Sequence, residues 1–555
     1  MTPFWVSKYP VGVPATVDDT IAQYSSVLDV FEEACGRFPA RPAFTQMDRT
    51  FTFSELNRKA ECFAAFLQNE LKLKKGERIA LQMPNVLQYP VAMFGAIKAG
   101  LIVVNTNPLY TDREMKHQFN DAGVSAVVIL ANFACNLQKI LTETKIRHVI
   151  VTEIGDMLSF PKNLLVNAVV KHVKKMVPDY SIPDAIQFSD AMKRGAAMTY
   201  TRVPMQADDV AFLQYTGGTT GVSKGAMLTH KNVIGNMEQI RVWIAPLLKE
   251  GQEIGICALP LYHIFALTLH GLALMKYGAH GILITNPKDM PAFVKELKKY
   301  KFTVMSGVNT LFNALANNPG FQQLNFSTLK VSVAGGMALQ KAVAQKWTDV
   351  TKTKVIEGYG LTEASPVICC NPVDGTDRVG TIGLPLPSTF VRMIKDDGTE
   401  AAIGEPGELC AKGPQVMKGY WQRPDDTAQV LDKDGYLKTG DIGVMEADGF
   451  CRIVDRKKEM ILVSGFNVYP NEVEDVIAHH PGVLEVGVIG VPDEKSGEVV
   501  KAVIVKKDPA LTAEDVIAFC KKNLTSYKVP KHVEFRKELP KSNIGKILRR
   551  MLKDN

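Results

Sequence analysis

The stretch DDVAFLQYTGGTTGVSKGAMLTH, residues 208–230, decides how this chain is read. VAFLQY is a short apolar run that predicts a buried strand, and GAMLTH predicts a second strand returning beside it. Between them lie Thr216, Gly217, Gly218, Thr219, Thr220, Gly221, Val222, Ser223, Lys224 and Gly225, directly after Tyr215. Glycines let a backbone approach an anion closely, so that its N–H groups point at phosphate oxygens; the hydroxyls and Lys224 add donors and charge. The loop is not of the GxxxxGK(S/T) type, because Ser223 precedes the lysine and Gly225 follows it. A strand–loop–strand also offers no helix N-terminus. A flexible Gly/Thr hairpin is the competing reading, but a turn alone needs neither so many hydroxyls nor the lysine.

Working outward, the first 150 residues alternate between strand and helix patterns. Thr52 and Glu55 predict a capping box before a helical run from Leu56 to Leu71. ERIALQMP (77–84), LIVVNTN (101–107), SAVVIL (125–130) and RHVIVT (147–152) read as strands. Helices are predicted between them, one stopping at Gly100 and one opening at Thr111 and Glu114. Strands separated by helices of 10–15 residues mean βαβ units and parallel sheet. The alternation resumes at FTVMSG (302–307) and KVSVAGG (330–336). From about Thr381 short strands follow one another closely, and after Asp455 the pattern turns α+β. The expected architecture is therefore α/β. A large domain, residues 1–455, carries parallel sheets and a small β-rich subdomain at 381–455, and a small mobile α+β domain spans 456–555.

Composition narrows the function class. The chain has 555 residues, 46% hydrophobic and 22% charged, as in ordinary globular proteins. No run reaches the roughly 18 apolar residues of a membrane span; the best candidate, Leu259–Ile284, is broken by His263, His270, Lys276 and His280. The 65 basic and 58 acidic residues give a net charge of +7. That suits small anions or a membrane surface, and the basic residues are too dispersed for nucleic acid. Nine scattered cysteines without a CxxC pair point to reduced thiols, and MTPFWVSKYP has no basic-then-apolar signal region. A cytoplasmic location is expected, with the inner face of the cell membrane left open.

Three further clusters could carry chemistry. VIEGYGLTEASP (355–366) sets Glu357, Gly358, Tyr359, Gly360, Thr362 and Glu363 around a strand-end turn, where an exposed aromatic could stack on a base and a carboxylate could serve a phosphate-bound Mg²⁺. A plain turn with a solvated Glu363 would look the same. YLKTGDIG (436–443) places Asp441 to hold ribose hydroxyls, or merely in an Asp–Gly hairpin. LPKSNIGKILRR (539–550) carries Lys546, in what could be only a solvated basic tail.

Taken together, YTGGTTGVSKG, GYGLTE, TGD, DRKKEMILVSGFNVYPNEVE (455–474) and the Gly545–Lys546 tail resemble the adenylate-forming enzymes, over nearly the whole chain. FWVSKYPVGVP (4–14), PLYHIFAL (260–267) and the insert at 153–190 make the likeness greatest to bacterial long-chain fatty-acid–CoA ligases. The resemblance implies that ATP, with Mg²⁺, activates a long-chain fatty acid as acyl-AMP, and that coenzyme A then displaces AMP. A fatty acyl-AMP ligase serving a carrier protein, or a medium-chain or aryl acyl-CoA synthetase, stays open beside it.

The resemblance also implies roles. Residues 216–224 would grip the β- and γ-phosphates, with Thr219 and Glu363 at the metal and Thr362 at the α-phosphate. Tyr359, Gly335 and Gly336 would bracket adenine, and Asp441 would hold the ribose near Ile453 and Arg456. Lys546 would stabilise charge between carboxylate and α-phosphate. His263 would lie between loop and acyl pocket, although a lone histidine in an apolar strand is often only a satisfied core residue. Lys458 would be the hinge that swings Ser464, Gly465 and Phe466 onto the pantetheine path. Leu259–Gly271, Val308–Phe312 and Ala334–Leu339 would wall the acyl tunnel. A homodimer is left open.

PKNLLVNAVVKHVKKMVP (161–178) stands apart. Leu165, Val166, Val169, Val170, Val173, Met176 and Val177 predict one apolar helix face, with Lys171, Lys174 and Lys175 opposite. Such a helix would either rest on an anionic leaflet or pack on the large domain or a second subunit.

Overall fold

The computed structural model describes residues 2–216, 223–464, 466–493, 496–542 and 545–553. Two large, mostly parallel sheets organise the N-terminal part. In the first, the strands run Gly419–Tyr420, Lys224–Thr229, Val210–Thr216, Ile102–Asn105, Arg78–Gln82, Val124–Leu130, His148–Thr152 and Ile186–Gln187. The second contains Ile254–Cys257, Val304–Gly307, Val331–Ala334 and Val355–Gly360 as parallel neighbours, with antiparallel strands added at its edges. Helices Phe53–Asn69 and Gln88–Lys98 fill the space around them, the second buried along its whole length. That is why its sequence is apolar on every side.

Local chemistry explains most boundaries. Helix Asp112–Ala122 opens with the predicted reciprocal box of Thr111 and Glu114, and ends at Gly123 with φ +62°. The box at helix Phe53–Asn69 is only half made. Thr52 accepts from the Glu55 N–H, whereas the Glu55 carboxylate turns instead to Arg49. An ion pair competes better for that carboxylate than one backbone amide.

Residues 390–456 form the expected β-rich unit, an antiparallel sheet of Phe390–Ile394, Pro406–Lys412, Leu437–Met445 and Cys451–Arg456. The C-terminal domain pairs Val483–Asp493 with Gly497–Lys506, adds His532–Arg536 and Ile461–Val463, and covers them with helices Pro470–Ala478 and Ala513–Asn523. Among the described residues, its apolar core is drawn from residues 461–552.

The segment 161–178 departs from a single regular helix. An α-helical part, Lys162–Ala168, passes into a wider-wound turn, Val169–Val173, and Lys175 takes φ +50°, so Met176 and Val177 lie beyond the helix. Val177 packs against the core of the first sheet and Val166 and Val170 are half-buried, but the other apolar side chains face solvent. Phe160 is 80% exposed and Val173 73%, with Leu164, Leu165 and Met176 also exposed. Among the described residues no helix is long and apolar enough to cross a membrane, and all nine cysteines are free thiols.

The turn after strand Val355–Gly360 is packed to its limit. A Cβ at Gly360 would fall 1.9 Å from the Pro366 carbonyl oxygen, whereas one at Gly358 would find its nearest neighbour at 3.7 Å. Gly360→Ala should therefore lose about 1–3 kcal/mol or more through backbone displacement. Gly358→Ala should leave the thermal midpoint near that of the parent, and equal midpoints for the two variants would refute this packing.

Candidate active site

The carboxyl ends of the parallel strands meet on one side of the second sheet, where ligands bind in open α/β folds. Here the segments 258–263, 335–340 and 361–366 converge. The GYGLTE turn is braced from several directions. The Leu361 N–H donates to the Pro366 carbonyl (3.0 Å), the Thr268 hydroxyl to the Ser365 carbonyl (2.7 Å) and the Met417 N–H to the Glu363 carbonyl (2.8 Å).

Tyr359 is not the exposed aromatic expected from sequence. It is half-buried, and its hydroxyl donates to Asp441 Oδ2 at 2.6 Å. Nor is Asp441 in a hairpin turn. It lies inside strand Leu437–Met445, nearly covered, with Arg456 opposite it on strand Cys451–Arg456 and the Arg456 Nε 3.4 Å from Oδ1. Burial raises the Asp441 carboxyl, while Arg456, the Tyr359 hydroxyl and Lys546 oppose that rise. Ile453, on the same strand as Arg456, pairs with Gly443.

Lys546 does not trail in solvent either. It is half-buried, and burial, reinforced by Arg456, lowers its ammonium to about 8 against the pull of Glu459 and Asp441. Its charge also reaches His263, whose imidazole is driven down to about 4, chiefly by burial. His263 corrects its own assignment. It sits not in a strand but at the N-cap of helix Ile264–Ala266, where Nδ1 accepts from the Phe265 N–H at 3.3 Å. At pH 7 this histidine is neutral, and Lys546 is the local cation.

Glu363 is half-buried beside Thr362 rather than solvated. Its Oε1 accepts from the Tyr420 hydroxyl at 2.7 Å, and burial raises its carboxyl. Tyr420 belongs to a short strand paired with Lys224–Thr229, so the hairpin bearing Lys224 and Glu363 share a wall. The Lys224 ammonium lies 5.3 Å from the centre of the Tyr420 ring and 2.5 Å from Asp426 Oδ1. Ser223 donates to the Thr216 carbonyl (2.6 Å), and the Tyr215 hydroxyl donates to Asp121 Oδ2 (2.7 Å). Gly217, Gly218, Thr219, Thr220, Gly221 and Val222 lie outside the described residues, as does Gly465.

Gly335 stands close to Gly358 and Phe265: a Cβ there would lie 3.3 Å from the Gly358 carbonyl oxygen and 3.1 Å from the Phe265 ring. Gly336 follows with φ +80°. Glu357 is buried and held up to about 8 by burial; its Oε1 accepts from the Leu339 N–H (3.1 Å), which braces the loop after Gly335. Lys458 occupies the turn after strand Cys451–Arg456. Ser464 is exposed with φ +50°, and Phe466 stacks on Tyr527 at 4.9 Å within the C-terminal domain, so neither joins the cluster around Asp441. Tyr420, Asp426 and Asp121 escaped the sequence reading, because nothing local to them signals their partners.

The AMP-binding enzyme family matches residues 31–421, and its C-terminal domain matches residues 472–546. The chain belongs to the AMP-binding enzymes. It is 56% identical over 554 residues to a long-chain-fatty-acid–CoA ligase of Salmonella typhimurium, covering 100% of this chain and 98% of that one. A Bacillus subtilis protein of the same name is 40% identical, covering 99% and 97%. Among solved structures, ATP-bound MatB from Rhodopseudomonas palustris superposes with a TM-score of 0.80 at 26% identity, covering 95% of this chain and 98% of that chain. In an AMP-binding enzyme a lysine poised near neutrality has a direct consequence. The kcat/KM of acyl-AMP formation, followed by pyrophosphate release, should fall about tenfold per unit as pH rises past about 8 and Lys546 loses its proton. A flat profile to pH 9.5 would contradict the assignment.

Proposed function

We propose that this chain is an AMP-forming long-chain fatty-acid–CoA ligase, and that Asp441 and Lys546 define its nucleotide and carboxylate sites. The observation that carries the reading is the placement of Lys546. A residue from the far end of the chain is enclosed beside Asp441, Arg456 and His263. A cation in that position answers the physical difficulty of the first step, which is to bring a carboxylate against a triphosphate.

In that step a fatty-acid carboxylate oxygen attacks the α-phosphorus of ATP. The P–O bond to the β-phosphate breaks, and pyrophosphate leaves. Residues 216–224 take the β- and γ-phosphates, Thr362 the α-phosphate, and Asp441 the ribose hydroxyls, while Tyr359, Gly335 and Gly336 flank the base. Lys546 neutralises charge between the reacting groups. A magnesium ion fits the donors present: Glu363 offers one hard carboxylate oxygen, phosphates and water would complete the shell, and no cluster of three or more His, Cys, Asp or Glu forms an all-protein cage among the described residues. Glu363, with Thr219, would hold it, and it would supply charge neutralisation on the phosphates.

In the second step the CoA thiol attacks the acyl carbon and AMP departs with the electron pair. Lys546 must leave first, so residues 456–555 turn as a lid about Lys458 and bring Ser464, Gly465 and Phe466 to the thiol path. A core confined to residues 461–552 suits a body that moves as one piece. The alkyl chain runs along Leu259–Gly271, Val308–Phe312 and Ala334–Leu339, gaining about 0.8 kcal/mol per buried CH₂. In a fatty-acid length series, AMP, acyl-CoA and loss of free thiol should appear in equal amounts, with long chains preferred. Pyrophosphate without thiol consumption would instead identify an acyl-AMP ligase serving a carrier. Lys546→Ala should abolish acyl-AMP formation yet convert supplied acyl-AMP to thioester, and Lys458→Pro should do the reverse.

The enzyme works in the cytoplasm and rests at times on an anionic membrane face through residues 161–178. Exposure of Phe160, Leu164, Leu165, Val173 and Met176 beside Lys171, Lys174 and Lys175 supports this placement, since such side chains gain by leaving water for lipid. In liposome co-sedimentation, changing the three lysines to Glu should sharply reduce binding to anionic vesicles. Unchanged binding removes the role of these charges.

A further inference from the structure

Lys546 is held from both sides, by Thr310 in the segment given above to the acyl wall and by Arg549, which has no role in the steps above. On the N-terminal side, the Thr310 hydroxyl in helix Asn309–Ala316 donates to the carbonyl of Gly545 at 2.9 Å. Three residues beyond Lys546, the Arg549 side chain is only 13% exposed and fans out over three carboxylates. Its Nε and Nη2 meet the two oxygens of Glu474 at 2.9 and 2.8 Å, Nη1 reaches Glu459 Oε2 at 2.5 Å and Asp455 Oδ1 at 3.3 Å, and Nη2 also donates to Asn471.

Asp455 is the pivot of this arrangement. It is fully buried and immediately precedes Arg456, the partner of Asp441. Its Oδ1 also accepts from the Arg456 N–H (2.7 Å), and its Oδ2 from the Asn471 N–H (2.9 Å). Asp455 thus lies before Lys458, whereas Glu459, Asn471, Glu474 and Arg549 all lie after it. If the lid turned about Lys458, the Arg549–Glu474 and Arg549–Glu459 pairs would travel together. Among the contacts that would break are Arg549–Asp455, Asn471–Asp455 and Thr310–Gly545, with the more exposed Asn313–Leu484 and Lys341–Asp475 contacts at the rim. A guanidinium's planar fork bridges several carboxylates at fixed angles, which an ammonium on a flexible stem does not.

We infer that Thr310 and Asp455, acting through Gly545 and Arg549, are positioning residues that latch Lys546 in the arrangement for acyl-AMP formation. Their release frees the lid for the thioester step. This rests on the reading of Lys546 given above.

The test uses the full-length enzyme carrying Thr310→Val, which keeps the shape and removes the hydroxyl, Asp455→Asn, Arg549→Lys or Lys546→Ala. Two half-reactions are measured: pyrophosphate exchange, and thioester formation from supplied acyl-AMP and CoA. Thr310→Val and Asp455→Asn should each lower kcat for acyl-AMP formation by roughly ten- to a hundredfold, the scale of an ångström-sized misplacement. KM for ATP should change little and the thioester step should proceed at the parental rate or faster. Arg549→Lys should not rescue the first step. The latch is overturned if Thr310→Val and Asp455→Asn keep parental acyl-AMP formation, or if both half-reactions fall in proportion with the melting temperature. Should Lys546→Ala itself leave acyl-AMP formation intact, the reading of Lys546 fails instead; loss in Lys546→Ala with no effect of Thr310→Val or Asp455→Asn defeats the latch alone.

Discussion

A positive charge taken out of water stays charged only if negative groups stand close by, and the site depends on how narrowly Lys546 meets that condition. Asp441 and Glu459 favour its ammonium, while burial and Arg456 disfavour it. Asp441 is itself shared, for it accepts the Tyr359 hydroxyl and faces Arg456. A bound triphosphate and carboxylate would add the anions this cleft lacks. The arrangement therefore fits a charge distribution that develops during reaction better than it fits the empty protein, which is how electrostatic catalysis works.

Keeping such a cluster in register requires stiff supports, and the fold provides them from three sheets. Asp441 and Arg456 are neighbours on paired strands of the β-rich sheet. Tyr359 ends a strand of the large parallel sheet, and Glu363 follows it in a turn tied down by Thr268, Pro366 and Met417. Tyr420 carries the bracing across to the hairpin that bears Lys224. Lys546 alone arrives on a body with its own core. The Thr310–Gly545 and Arg549–Asp455 contacts tie that body to the rest of the chain.

At the surface, Phe160, Leu164, Leu165, Val173 and Met176 lie exposed, whereas Val177 packs against the core of the first sheet.

The sequence by itself determined the elements and the residue types of the site. Strand and helix follow from periodicities of two and 3.6, which neighbouring residues carry, and the glycine- and hydroxyl-rich segments before Lys224 and around Tyr359 are local strings. Capping at Thr111 was equally legible, for both partners lie within three positions. Only the tertiary structure decided the partners. Tyr420 and Glu363 are 57 residues apart, Tyr359 and Asp441 82, Lys224 and Asp426 202, and Thr310 and Gly545 235. No periodicity spans such distances, so burial of Tyr359 and the depressed ammonium of Lys546 are set only by the folded chain. Proton affinities follow the same logic, because desolvation and neighbouring charge are properties of an environment rather than of a residue.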